Sequence, residues 1–266
     1  PGNVPPMNIL EINTNTAATT AQLTKAITIA GELKLTRGVF NLSSFDVTLQ
    51  SVATGTASVS AIGANASIAY GTGRFNVERY IYSARKWRFL SIPTIQTQTI
   101  KQAWQENQNP GLNGGPAGFG TMIGSYFANP TTLGFDFATL NGHDMKYWSN
   151  DASQTYIPVA QTSDAIATAT GYMKFIRGDR SVGMGTAIPP TSTRLRTRGQ
   201  LKTGLQTINF PALAINKFVA AGNPYASAID MRNISRTNLS AMYYVWDPKL
   251  TNPVNGGNNG VGAFQL

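Results

Sequence analysis

Hydrophobic and polar positions interleave most densely over residues 74–93, RFNVERYIYSARKWRFLSIP. Phe75, Val77, Arg79 and Ile81 share one parity there, and Asn76, Glu78, Tyr80 and Tyr82 the other. Each face of a strand would carry aromatic or β-branched residues, which predicts a strand inside a sheet packed on both sides. A second strand over 86–92 follows the short break Ser83, Ala84 and Arg85, and Pro93 stops it. This unit is expected to be the seam between two structural parts. Upstream, residues 1–20 are rich in Pro, Asn and Thr, with little apolar pattern beyond Ile9, Leu10 and Ile12, and are read as irregular. Over 21–51 the pattern becomes regular, with three- or four-residue alternations at 27–29, 33–35, 39–42 and 47–49 separated by turn residues. Strands so short need stacking to form a core, so they read as rungs of a solenoid or as short strands capping a larger sheet. Residues 52–73 are small and Gly-rich, either a further weak rung or a loop into the seam.

Downstream, Thr99 is a candidate cap for a two-turn helix over 99–105, with Ile100 and Trp104 on one face. Residues 106–120, ENQNPGLNGGPAGFG, predict a long surface loop. Strands are then expected at 121–127, 134–140, 145–148, 156–159, 171–177, 193–198, 204–210, 216–220 and 241–246. That spacing, with turn signals between, predicts a β-sandwich or jelly roll. The expected fold is therefore all-β, with an irregular 1–20, a solenoid-like (β-helix-like) part over 21–73 and a β-sandwich or jelly-roll-like domain over 74–266.

Composition narrows the class. Only 12% of the 266 residues are charged, against roughly 25% in typical soluble domains, and Thr, Ser, Asn, Gln and Gly take their place. With no cysteine, disulfides and thiolate metal sites are excluded, although the redox compartment stays open. No apolar run reaches the ~20 residues of a membrane-spanning helix. The start, PGNVPPMNIL, lacks an initiator Met and a signal design, and reads as a processed or excised piece. The net charge of +9 raises nucleic acid as a partner. Arg194, Arg196 and Arg198 alternate onto one strand face, but no aromatic stacking positions interleave with them, so an exposed sheet face is expected and nucleic acid is not.

Several segments, in order, resemble a recurrent module of large surface proteins exported by the type IX secretion system of Bacteroidetes: VERYI at 77–81, KWRFLSIPT at 86–94, TIKQAWQE at 99–106, GYMKFIRGDR at 171–180, GNPYASAID at 222–230 and YYVWDPKL at 243–250. The resemblance implies a secreted or cell-surface β-protein embedded in a longer chain. The C-terminal sorting domain that usually follows is not in this sequence.

Candidate chemistry is sparse. His143, the single histidine, lies in NGHDM and reads as a turn residue rather than a base; no G-x-S-x-G pattern occurs, and the twelve acids are scattered singly. No catalytic or cofactor-binding residue is therefore assigned, and the chain is expected not to be an enzyme. Arg177-Gly178-Asp179-Arg180 contains the tripeptide that integrins read; the plainer reading is a turn at Gly178, with Asp179 paired to a flanking arginine. Asp230, Asp247 and the Asn-rich 255–259 offer hard oxygens to Ca²⁺, without the dense spacing of a calcium loop. Trp87, Trp104, Trp148 and Trp246 either line a sugar platform or, by default, are buried. The expected function is a non-enzymatic structural or adhesive subunit of an extracellular fibre or array, with other copies or neighbouring domains as partners. A carbohydrate-binding module with glycan partners is the alternative.

Overall fold

The computed structural model describes residues 5–95, 98–112, 114–139, 142–183, 188–250 and 262–266. Its regular structure is mostly β, as expected. Among the described residues nine strands precede the break at 83–85: β1 (Met7–Asn13), β2 (Thr20–Gln22), β3 (Ile27–Asn41), β4 (Val47–Leu49), β5 (Ser51–Val52), β6 (Gly55–Thr56), β7 (Ser58–Val59), β8 (Asn65–Ala69) and β9 (Phe75–Ile81). β1 and β2 run parallel along one edge of β3, while β4, β7 and β8 run parallel along the other. β9 continues the ladder beside β4. Stacked residues repeat in kind: Met7, Ile29, Leu49 and Val77 form one apolar column, and Ile27, Val47 and Phe75 another. These columns, with Leu33, Leu35, Phe40 and Leu42, make the first core. Each short alternation thus gains the buried surface that it lacks alone.

Two expectations change here. Residues 7–13, read as irregular, form a strand because Leu10 and Ile12 lie beside Leu33 and Leu35. Two register shifts interrupt β1, which is why its pattern does not alternate strictly. The separate alternations at 27–29, 33–35 and 39–42 join into one strand, β3. β3 contains Gly31, where a Cβ would collide with the Asn8 carbonyl, and Gly38, at φ +101°.

The chain changes sheets at 83–85, the short break expected between the two strands. β9 stays in the first sheet, whereas β10 (Lys86–Leu90) enters a second. After it come β11 (Thr94–Ile95), α1 (Ile100–Trp104), β12 (Gly124–Ser125), β13 (Phe137–Ala138), β14 (Met145–Trp148), β15 (Tyr156–Pro158), β16 (Tyr172–Ile176) and β17 (Thr193–Leu201). The second sheet is antiparallel, in the order β10-β16-β14-β15. β17 returns to the first sheet and pairs antiparallel with β9. Ile81 and Leu195, from β9 and β17, join Ile100, Trp104, Ile123, Phe135, Met145, Tyr172 and Ile176 in a second core. Helix α1 starts on a complete capping box: Thr99 accepts from the Gln102 amide, and the Gln102 side chain accepts from the Thr99 N–H.

The strands expected at 204–210 and 216–220 do not form, and 241–246 shrinks to β18 (Val245–Asp247), paired with β19 (Ala263–Gln265). Leu205, Ile215 and Phe218 are 94%, 89% and 57% exposed. Among the described residues their alternation has no neighbouring strand to pair with, and strand propensity without cross-strand contacts carries little weight. Side-chain amides grip part of this segment instead. Gln154 both donates to and accepts from the Phe218 backbone, and Asn150 does the same at Ala220.

Candidate functional site

Burial reorganises the charged residues that the sequence placed at 177–180. Gly178, at φ +150°, ends β16 as expected. Arg177 makes a bidentate pair with Asp144 at 2.5 and 3.0 Å, and Arg180, 1% exposed, makes another with Asp136 at 3.0 and 2.8 Å. Asp136 also accepts from the Gln105 side chain and the Ile123 amide. Asp179 pairs with neither arginine, contrary to expectation. It accepts from the Gly118 and Ser181 amides and from the hydroxyls of Ser181 and Thr191. Burial pushes its carboxyl up, but those bonds together outweigh it and hold the group below the usual aspartate value. With Asp179 only 7% exposed and its acceptors filled, the tripeptide is a built-in corner and not a presented loop tip. Nearby, Lys174 is fully buried, donates to the Met122 and Phe175 carbonyls, and is pushed down by burial to about 8.

His143 meets a serine that the sequence did not connect with it. Its Nδ1 lies 2.8 Å from the Ser125 hydroxyl, and burial, then Lys146, lower its pKa. Ser125 is 0% exposed, Asp144 spends its carboxylate on Arg177 and Gly124, and the Phe127 ring lies 4.6 Å from the imidazole. The contact ties β12 to the segment just before β14; a hydroxyl without surface cannot reach a substrate. Trp104 is buried in the second core, and the other three tryptophans are half-buried. Trp87, Trp148 and Trp246 stand edge-on to Phe175, Tyr156 and Phe264 at 64°, 74° and 81°, and the Trp148 and Trp246 indole N–H groups bond to backbone carbonyls. Asp230 holds Arg232, and Asp247 accepts from the Lys249 amide; 255–259 lies outside the described residues. Among the described residues no three acids or histidines gather as a metal site.

The three alternating arginines of β17 do share a face, and each finds an acid from a different element. Arg194 meets Glu78 of β9 at 3.3 Å, Arg196 meets Glu106 after α1 at 2.7 Å, and Arg198 meets Asp46 before β4 at 2.8 Å. The loop at 118–120 folds over this face, with Phe119 4.0 Å under the Arg194 guanidinium and 4.1 Å under that of Arg196. Sequence spacing revealed the shared face, but neither the acids nor the ring.

Beside Arg194, at the seam, opens a cleft of about 200 Å³ lined by Val52, Tyr80, Gly118, Ser192, Thr193 and Arg194. The Thr193 hydroxyl is spent on the Gly120 carbonyl. The Tyr80 and Ser192 hydroxyls have no hydrogen-bond partner among the described residues, and Arg194 uses only Nη1 in its ion pair. A Cβ placed on Gly118 would meet nothing within 4 Å, so the cleft is open on that side. No family model, curated protein or solved structure matches the chain.

Proposed function

We propose that the chain is a non-enzymatic structural or adhesive module of an exported surface protein, a short solenoid stack joined to a sandwich-like part, working as a subunit of a fibre or array. One observation carries the reading: among the described residues the parallel ladder is covered at its β9 end by antiparallel β17 but has no neighbour beyond β1. An uncovered edge of this kind offers a row of backbone donors and acceptors to another chain. Ile9 in β1 is 53% exposed, and Met242, Tyr244 and Phe264 add further exposed apolar surface at the other end of the chain. The extracellular address rests on the family resemblance together with the low charge. Among the described residues no helix is long and apolar enough to cross a membrane.

The test is analytical ultracentrifugation across a wide concentration range, with Ile9→Lys as the comparison, because an edge lysine blocks strand addition. Concentration-dependent association that Ile9→Lys suppresses is expected. A chain that stays monomeric at high concentration overturns the assembly reading, and turnover of glycosides, peptides or esters abolished by one carboxylate substitution overturns the non-enzymatic one.

A further inference from the structure

The geometry points to the seam cleft as a binding site for a single acidic sugar residue, a hexuronate. Its volume, about 200 Å³, equals roughly six or seven waters at ~30 Å³ each. That suits one pyranose ring and falls short of the ~300 Å³ at which drug-sized pockets begin. Three kinds of wall meet there. Arg194 is fixed by Phe119 beneath its face and Glu78 at Nη1, which leaves Nε and Nη2 on its edge without an acceptor among the described residues. A guanidinium edge of that form matches a carboxylate. The Tyr80 and Ser192 hydroxyls, each donor and acceptor, are unspent and can exchange hydrogen bonds with ring hydroxyls. Tyr80 and Val52 also line the cleft, and an aromatic and a branched aliphatic side chain suit the C–H face of a sugar.

Charge chooses among anions. Glu78, 3% exposed, partly neutralises Arg194, so the cleft favours one negative charge dispersed among neutral hydroxyls over a dianionic phosphate. The site lies on the outer face of β9 and β17, away from the open β1 edge, and stands whether or not the chain assembles.

The experiment is an NMR titration of the full chain with sodium D-glucuronate, with D-glucose and sodium acetate as comparisons. Glucuronate is expected to shift the Gly118 amide and the Tyr80 and Arg194 side-chain resonances, and to bind at least about tenfold more tightly than either comparison. Tyr80→Phe and Ser192→Ala break no existing hydrogen bond, so each should leave the fold intact and weaken glucuronate about five- to tenfold. Removing Arg194 alone would strand Glu78, so the charge is tested with Arg194→Gln combined with Glu78→Gln, which should abolish binding. No shift at these residues, shifts unaffected by the variants, or equal binding of glucose or acetate would overturn the assignment.

Discussion

At the scale of single residues, the second core is held by charges that the sequence scattered. Lys174 shows what that costs. Burial lowers its pKa to about 8 from 10.5, so between those values the unfolded chain keeps a proton that the folded chain has lost. Stability therefore rises with pH across that window, and the full difference is worth roughly 3 kcal/mol. In urea denaturation from pH 7 to 10, Lys174→Met should lack this rise and be at least as stable as the parent at pH 7. Unfolding free energies that climb equally in both proteins would show that Lys174 is not the cause. Asp136 stands at the opposite extreme, since its neutralisation leaves Arg180, 1% exposed, without a counter-charge. Asp136→Asn should cost roughly 3–5 kcal/mol. Arg198→Gln, at a pair whose side chains are 48% and 29% exposed, should cost no more than about 1 kcal/mol. The same denaturation series measures both, and equal losses would refute the ranking.

At the scale of elements, local signals set the ends and contacts set the extents. Helix α1 has only five residues, too few for propensity to sustain it. It persists because Ile100, Ala103 and Trp104 are buried and because Thr99 and Gln102 close its first turn. Thr99→Ala should lower stability by about 1 kcal/mol, read as a shift in the denaturation midpoint with an unchanged slope. A change in slope would mean that the cap holds more than this turn. β17 is the element that unites the molecule. Its inner residue Leu195 enters the second core and Leu201 the first, while its outer arginines collect acids from three separate places.

At the scale of the whole molecule, order is uneven. The parallel ladder and the second core are closely bonded, whereas between β17 and β18 the described chain forms no strand, only a short 3-10 turn at Met231–Asn233. Lys217 and Arg232 are exposed there, while Lys174 and Arg180 are buried. Brief trypsin treatment followed by intact-mass analysis should show cuts after Lys217 and Arg232 well before any after Lys174 or Arg180, since cleavage needs an extended, accessible backbone. Early cutting within β16 would contradict the described packing. An association partner that covers the exposed Phe218 and Tyr244, whose rings lie 5.8 Å apart, should slow the first cuts.

The amino-acid order by itself determined the β class, the break between two strands at 83–85, the helix with its cap, and strands β14 to β17. Each of these rests on periodicity or turn chemistry within about ten residues. It also put Arg194, Arg196 and Arg198 on one face, because alternation is a local property. Only the tertiary structure decided that 7–13 is a strand, that 204–220 is not, that Asp179 is enclosed, and that the three arginines meet Glu78, Glu106 and Asp46. The physical reason is the same in each case. Whether an alternating segment becomes a strand, and whether a charge is paired or left facing a cleft, depends on neighbours distant along the chain, and local pattern has no information about which distant segment will arrive.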